Sequence, residues 1–233
     1  MKSGREKAQK AGGKAGSGVA VEIPDEQEIV EILSPYVREM PAYLPGMVRS
    51  HLGLLTAWNR KVGLTALTDP RDILRMLFGE SFFGIAAAGI AGGLAVDVGS
   101  GAGFPGVPAA MVVAELRVVL VESSTKKAAF LREVLRSLGF GDRLEVFQGR
   151  FEQWNPGQER ADWILSRAVA VDRKFLSQAR SVLRPTGRVV LWTTRDLAER
   201  IASEFASGWQ WKDAVPIPGS KSRCVFVGIP AEA

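Results

Sequence analysis

One glycine-rich stretch, VDVGSGAGFPGVP at residues 96–108, restricts the fold of this chain more than any other feature. An apolar run at residues 94–98 comes directly before the glycines, and a second apolar run begins near residue 105. A glycine loop between a strand and a helix is typical of nucleotide-binding α/β folds, because glycine lets the backbone approach a ligand closely. The stretch therefore predicts a ligand site at the carboxyl end of a strand.

Short apolar runs alternate with helical segments after residue 92, and this alternation predicts a doubly wound α/β sheet. The runs are nearly continuous in Val, Leu and Ile, as in parallel strands that are covered on both faces. The predicted strands are residues 94–98, 117–122, 143–148, 161–168 and 187–193, and the predicted helices lie near 105–115, 125–138, 172–184 and 195–207. Residues 211–229 predict an antiparallel hairpin. We expect a Rossmann-like, mostly parallel seven-stranded sheet that this C-terminal hairpin closes.

The part of the chain before the sheet has a different character. Residues 1–20 are rich in Gly, Ala and Lys and hold most of the formal net charge of +5, so we expect a disordered basic tail that could bind RNA through phosphates. From residue 24 to 81 apolar residues recur at steps of three and four, which predicts helices. We expect three parts: the tail (1–20), a helical segment packed on the core (21–92) and the Rossmann-like domain (93–233).

The chain has one cysteine and one histidine, and this composition excludes several kinds of chemistry. An internal disulfide and a cysteine-based zinc site are excluded, and a Ser-His-Asp relay is a poor fit. His51 lies on an apolar helix face, where a core histidine is the usual interpretation. Since no secretory or membrane-spanning segment is recognisable, we expect a cytoplasmic protein without a membrane contact or a metal site.

The residues around the glycines favour S-adenosylmethionine over a dinucleotide. The order is G-x-G-x-G, without a Gly three residues after Gly101, and Asp97 would repel a pyrophosphate but suit the cationic methionine portion. Glu122 ends the second strand, where a carboxylate can accept both ribose hydroxyls. An acid there also occurs in dinucleotide folds, so a dehydrogenase stays open as an alternative. The predicted cofactor loop comprises Asp97, Gly99, Gly101, Gly103 and Phe104.

Several segments together resemble the glucose-inhibited division protein B family, bacterial methyltransferases that act on N7 of a guanine in small-subunit (16S) ribosomal RNA. The resemblance covers residues 24 to 229, and its most specific parts are the glycine loop and the W-N-x-x-x-x-L-T-A run. The matching segments are WNRKVGLTALTDPRDIL (58–74), FGES (78–81), VDVGSGAGFPGVP (96–108), ESSTKKAAFLREV (122–134), QGRFEQW (148–154) and ILSRAV (164–169).

The resemblance implies a role for individual residues. It implies cofactor contacts at Gly99, Phe104, Phe151, Glu152 and Arg167. It also implies that Lys126 and Arg150 face the RNA or the target base. Guanine N7 carries a lone pair and no proton, so methyl transfer to it needs proximity and orientation but no general base. We therefore expect S-adenosylmethionine as cofactor, 16S ribosomal RNA or a small-subunit assembly intermediate as partner, no catalytic acid–base pair, and a monomer.

Four positions depart from the family pattern. Leu77 stands where His is common, Gly63 where Asn is usual, Thr193 where a lysine is common, and Cys224 where His follows Arg. Arg195 is a substitute candidate for the missing lysine. These departures leave two alternatives open: a methyltransferase for another RNA or a small molecule, and a non-catalytic cofactor-binding protein associated with the ribosome.

Overall fold

The computed structural model describes residues 21–167 and 169–231 of the 233-residue chain. The predicted basic tail, residues 1–20, lies outside the described residues. The helices are α1 (Glu26–Leu33), α2 (Leu44–Val62), α3 (Pro70–Ile73), α4 (Glu80–Ala88), α5 (Gly106–Val112), α6 (Thr125–Leu138), α7 (Arg173–Val182) and α8 (Arg195–Glu204). The strands are β1 (Gly93–Val98), β2 (Leu116–Glu122), β3 (Leu144–Gln148), β4 (Ala161–Ser166), β5 (Leu183–Thr194), β6 (Trp209–Trp211), β7 (Val215–Pro216) and β8 (Arg223–Pro230).

The strands form one mostly parallel sheet in the order β3-β2-β1-β4-β5-β8-β6, with β7 also paired to β8. Strands β1 to β5 are parallel, and β8 runs antiparallel to β5. The doubly wound fold and the antiparallel closure predicted from the sequence are confirmed. The sheet has eight strands instead of the expected seven, because two short strands, β6 and β7, follow one another along the outer edge of β8.

Alternating side chains of each strand build two separate cores, one on each face of the sheet. In β1, Ala95 packs into the core beneath the N-terminal helices, α5 and α6, whereas Leu94 and Val96 pack into the other core with α7 and α8. Both faces are therefore covered, and this is why the strands are apolar almost without interruption.

The N-terminal helices follow the signals in the sequence. Asp25 and Asp69 cap α1 and α3, each accepting a hydrogen bond from a backbone N–H of the first turn. The helical stretch after Asp69 is interrupted by a π-helical segment, Leu74–Gly79, which joins α3 to α4. Such segments often occur at functional sites, and this one leads directly into Glu80. In the described residues, no helix has the length and apolar character needed to cross a membrane.

His51 is a core residue, as expected. Its side chain on α2 is fully buried, its Nε2 lies 3.0 Å from the carbonyl oxygen of Ala102, and its ring stacks on Phe104 with centroids 5.1 Å apart. Burial lowers the pKa of His51 to about 4, so the ring is neutral at pH 7. The histidine joins the N-terminal helices to the underside of the glycine loop.

Candidate active site

The candidate site lies where the parallel strands end and the strand order reverses. Strand β1 pairs with β2 on one side and with β4 on the other. The sheet therefore grows first from β1 through β2 to β3, and then from the other side of β1 through β4 to β5. A crevice forms at such a switch point, outside the carboxyl ends of the strands, and ligands of open α/β sheets bind there. The glycine loop and the segments after β3 and β4 surround this crevice.

Glu122 at the end of β2 is held in place by backbone donors from two loops. Its Oε2 accepts a hydrogen bond of 3.0 Å from the N–H of Gly101, and its Oε1 accepts one of 2.7 Å from the N–H of Ser124. Each carboxylate oxygen has two acceptor positions, so one on each oxygen is left. Two ribose hydroxyls would use this remaining acceptor capacity, and the ribose contact expected from the sequence stays a prediction.

Asp97 braces the glycine loop from behind. Its side chain is fully buried, and Oδ2 accepts a 3.0 Å hydrogen bond from the N–H of Gly106, the first residue of α5. Burial is the main cause that raises the pKa of Asp97 to about 7, and the hydrogen bond from Gly106 only partly opposes it. The expected direct approach of Asp97 to the methionine portion is not seen; the carboxylate lies beneath the loop, because α5 begins directly above it.

Gly103 and Phe104 also face the core more than the crevice. A Cβ on Gly103, whose φ is +92°, would lie 2.8 Å from Cγ2 of Val107. The ring of Phe104 is 5% exposed and packs edge-on against Phe78, at a centroid distance of 4.8 Å, as well as on His51. These two residues shape the loop from below, whereas Gly99 is exposed at its rim.

A cavity of about 330 Å³ lies between the glycine loop and the segment after β3. Its lining includes Gly99, Ser123, Arg150, Phe151 and Glu152, so four of the predicted site residues meet here. A Cβ on Gly99, at φ +73°, would lie 2.5 Å from Cγ2 of Val169 on the opposite wall, so only glycine leaves this passage open. Val121 and Ser123, the neighbours of Glu122 in the chain, also line this cavity.

A larger cavity of about 510 Å³ adjoins the first one, and both are lined by Val169 and Ala170. Its apolar wall includes Leu191 and Trp192 of β5. Arg167 belongs to this second cavity and does not line the first. The structure therefore places Arg167 apart from the other predicted cofactor residues, and its cofactor contact stays a prediction.

Glu80, which the sequence analysis did not single out, lies at the centre of the second cavity's charged wall. Its Oε2 accepts a 2.9 Å hydrogen bond from Nη2 of Arg167, and its Oε1 lies 2.6 Å from Nη2 of Arg223. Burial raises the pKa of Glu80, although both arginines oppose the shift. The signal in the sequence was a single acid within the apolar run LFGESFFGIAAAG (77–89), because an acid in such a run is buried only with partners.

The three predicted RNA contacts are exposed around the crevice. Lys126 lies in the first turn of α6, Arg150 precedes the turn at Phe151, and Arg195 begins α8 after β5. Arg150 lines the smaller cavity, and Thr194, next to Arg195, lines the larger one. The exposed cations thus follow the carboxyl ends of β2, β3 and β5, the same end of the sheet at which both cavities lie.

The departures from the family pattern fit the structure without distortion. Gly63 ends α2 with φ +64°, a left-handed conformation in which Gly and Asn are the favoured residues. Leu77 packs against the core, and Cys224 is buried on β8 opposite Thr193 of β5. Of these four residues only Thr193 lines a cavity of the site.

Comparison with known proteins identifies the family. Residues 47–213 match the family model of rRNA small subunit methyltransferase G (GidB). Proteins named ribosomal RNA small subunit methyltransferase G are similar: that of Roseiflexus sp. is 36% identical over 74% of this chain and 77% of its own length. That of Stenotrophomonas maltophilia (strain K279a) is 34% identical over 76% of this chain and 82% of its own length.

Solved structures show the same fold at low sequence identity. A SAM-dependent methyltransferase from Aquifex aeolicus superposes with a TM-score of 0.59 and 18% identity, over 72% of this chain and 96% of that one. A ribosomal protein L11 methylase from Lactobacillus delbrueckii subsp. bulgaricus gives 0.55 and 17%, over 66% and 78%. The fold is that of Rossmann-like methyltransferases, and the chain belongs to the rRNA small subunit methyltransferase G (GidB) family.

Proposed function

We propose that this protein transfers a methyl group from S-adenosylmethionine to N7 of a guanine in 16S ribosomal RNA. One observation carries the proposal beyond family membership: two cavities of suitable size adjoin at the switch point of the sheet and share Val169 and Ala170. One has the carboxylate and glycine passage that suit an adenosine. The other is a separate cavity for the methyl acceptor. Because the two cavities adjoin at Val169 and Ala170, the two reactants can be close to each other.

The chemistry fits a site without an acid–base pair. S-adenosylmethionine supplies an electrophilic methyl group whose bond to sulfur breaks as the electron pair returns to sulfur. N7 of guanine uses its own lone pair for the new bond to carbon, and no proton leaves the base. The protein therefore has to bind, align and shield the two reactants, and the rate depends mainly on how well it orients them.

The site residues fall into two groups: those that contact the cofactor or the RNA, and those that support the glycine loop. We assign the cofactor to Gly99, Phe151 and Glu152, which line the smaller cavity, and to Gly101 and Glu122, which are hydrogen-bonded to each other. We assign RNA contacts to Lys126, Arg150 and Arg195, since cations bind phosphates whatever the sequence. Asp97, Gly103 and Phe104 hold the loop in shape. In this proposal residues 21–92 form a helical segment on a methyltransferase domain beginning at 93, and the protein works in the cytoplasm on a small subunit or its precursor.

The test is transfer of labelled methyl groups to small-subunit RNA from cells that lack N7 methylation. Borohydride reduction and aniline cleavage, which cuts at 7-methylguanine, then locate the modified base. We expect one cut, in 16S RNA. Cofactor binding without transfer would overturn the proposal in favour of a binding protein. Transfer to another RNA would overturn the assigned substrate alone.

A further inference from the structure

The amino end of the sheet, opposite the candidate active site, has two clefts lined by arginines. A cleft of about 510 Å³ lies where β1, β2 and β4 begin, and a second of about 470 Å³ adjoins it at Arg184. The two cavities of the active site together are lined by three arginines and three acids. In the part of the chain that the structure describes, the clefts are lined by one acid, Asp162, no lysine and five arginines: Arg117, Arg160, Arg180, Arg184 and Arg188.

This concentration of positive charge stands out in a molecule that is otherwise nearly neutral. The formal net charge of the chain is +5, and residues 1–20 account for +4 of it. Three acids, Glu115, Glu159 and Asp162, lie in or directly beside the clefts, against the five arginines. The clefts therefore keep an excess of positive charge, and such an excess attracts anions.

Backbone carbonyl oxygens hold two of these arginines in place. Nη1 of Arg160 donates to the carbonyl oxygens of Ser181 at 2.8 Å and Leu183 at 3.2 Å, and Nη1 of Arg180 donates to that of Gly208 at 2.8 Å. Both arginines are exposed. A carbonyl oxygen carries no formal charge, so each guanidinium keeps its positive charge and further N–H donors while its position is fixed.

Arg188 is held by an aromatic ring. Its guanidinium carbon lies 5.5 Å from the centre of the Trp163 ring, and Nε1 of Trp163 donates a 2.9 Å hydrogen bond to the carbonyl oxygen of Gly92. Within residues 21–167 and 169–231, Arg188 forms no ion pair, and it is partly exposed. A guanidinium that lies over a ring keeps its N–H edge available for an acceptor.

The use of arginine without lysine indicates what kind of anion fits. A guanidinium offers five N–H donors in one plane, which bind the oxygens of a phosphate in pairs, whereas an ammonium acts as a point charge. Arg117 and Arg184 form ion pairs with Glu159 and Asp162, but 52% and 49% of the two arginine side chains stay exposed. Arginines spread over two adjoining clefts suit the successive phosphates of a nucleic acid strand better than one small anion.

We propose that these two clefts bind the phosphate backbone of the RNA substrate at a second place, away from the target base. This inference rests on the proposed function, in which the base enters at the carboxyl end of the sheet. Strand β1 has six residues, so the two ends of the sheet are about 20 Å apart. The protein would then recognise two separate segments of RNA, and only a folded small-subunit RNA presents both.

The test compares two RNAs and two double variants. Arg184→Gln with Arg188→Gln removes two charges from the clefts, whereas Arg38→Gln with Arg136→Gln removes two from exposed positions that line neither the clefts nor the site. Filter binding over a range of salt concentrations measures the affinity for full-length 16S RNA and for a short hairpin that contains the target base. We expect the cleft variant to bind 16S RNA about tenfold more weakly at low salt, with a salt dependence smaller by about one to two phosphate contacts.

The control variant should bind 16S RNA like the unaltered protein. Both double variants should bind the hairpin and S-adenosylmethionine normally, because the substituted positions line neither cavity of the site. Arg188→Gln alone keeps the ion pair of Arg184 with Asp162, so it tests the clefts even if the double variant is unstable. It should weaken 16S RNA binding about threefold.

Unchanged binding of 16S RNA by a folded cleft variant would overturn the inference. An equal loss in the control variant would do the same, because any two charges would then be sufficient. An equal loss for the hairpin would also overturn it, because the clefts would then contact the same RNA segment as the site. Saturable binding of ADP that the cleft variant loses would assign the arginines to a free nucleotide instead. A failure of methyl transfer, with cleft-dependent RNA binding intact, would overturn the proposed function alone.

Discussion

The two cavities of the site are built in opposite ways. At the smaller one the backbone has a large part: Gly99 of the glycine loop lines the cavity, and the main-chain N–H groups of Gly101 and Ser124 hold the neighbouring Glu122. The larger one is shaped by side chains, with Glu80 from the start of α4, Arg167 from the end of β4 and Arg223 from the start of β8. The lining of the first lies within residues 98–175, whereas the second joins residues up to 143 positions apart.

This difference has consequences for how each cavity tolerates change. A backbone site depends on conformations that only glycine adopts easily, so substitutions there disturb binding more than folding. A buried cluster of charges depends on complete pairing, because each ion has lost its water. Substitutions in the larger cavity should therefore cost stability as well as activity. Four positions are tested, from the largest expected effect to the smallest: Glu80 in the larger cavity, Asp97 beneath the glycine loop, Gly99 in the smaller cavity, and Gly63 outside both.

Replacement of Glu80 by Ala should lower the free energy of unfolding by about 3–5 kcal/mol, because two arginines lose their buried partner. Glu133→Ala is the control, since Glu133 forms an exposed pair with Arg136 on α6 and such pairs contribute at most about 1 kcal/mol. Urea unfolding of both variants gives the comparison. Equal losses for the two would contradict the view that the larger cavity depends on charge pairing.

Asp97 should make the protein less stable as the pH rises. Its pKa in the folded protein is about 7, against an ordinary value of 3.8, so the folded state holds more protons between these values. The free energy of unfolding then falls from about pH 4 to pH 7, by up to about 4 kcal/mol, and stays low above pH 7. Urea unfolding at pH 5 and pH 8 measures the fall.

Asp97→Asn should remove most of this pH dependence, since the amide can still accept the hydrogen bond from Gly106 but does not titrate. The variant's free energy of unfolding should therefore change little between pH 5 and pH 8. An unchanged slope in the variant would mean that other groups cause the pH dependence. The loop would then not depend on a buried carboxyl group.

Gly99→Ala should weaken S-adenosylmethionine binding about tenfold, because a residue other than glycine pays about 1–2 kcal/mol for the left-handed conformation and its Cβ meets Val169. Gly139→Ala is matched to it, with φ +66° at the end of α6 and no atom within 4 Å of the added Cβ. Calorimetric titration should show normal binding for Gly139→Ala. Weakening of the same size in both variants would point to a general loss of folding.

Gly63→Asn should change stability by less than about 0.5 kcal/mol, since both residues adopt the left-handed conformation at the end of a helix. Gly63→Val tests the same position with a branched side chain, and it should lose at least about 1 kcal/mol. Thermal unfolding separates the two. A large loss with Asn would show that this departure from the family pattern reflects more than the end of a helix.

Local patterns were sufficient to predict most of the fold. The strand and helix periodicities placed β1 to β5 and α5 to α8, and α6 was predicted with its observed bounds, because its cap at Ser124 and the glycine at 139 are next to the helix itself. The first arm of the C-terminal hairpin was harder. It is divided into β6 and β7, and this division depends on how each pairs with β8.

Several residues that the sequence placed around the cofactor are brought together by the structure, and their cofactor contacts stay predictions. Gly99, Glu122, Phe151 and Glu152 were expected around the cofactor, and they lie in or beside one cavity. The sequence suggested a ligand contact for Asp97, but the side chain points down to the start of α5. Which side of a loop a side chain faces depends on what packs beneath it, and no local pattern carries that information.

By itself the sequence determined the class of fold, the place of the glycine loop and the family. The apolar periodicities of strands and helices and the glycine motif each depend on residues that are close together in the chain. Only the tertiary structure decided that Glu80 joins Arg167 and Arg223. Those residues come from distant segments, and their approach follows from α4 packing against β5 and β8. The cost of burying the Glu80 carboxylate is offset only by its ion pairs with the two arginines, and these pairs form only when all three segments are folded together.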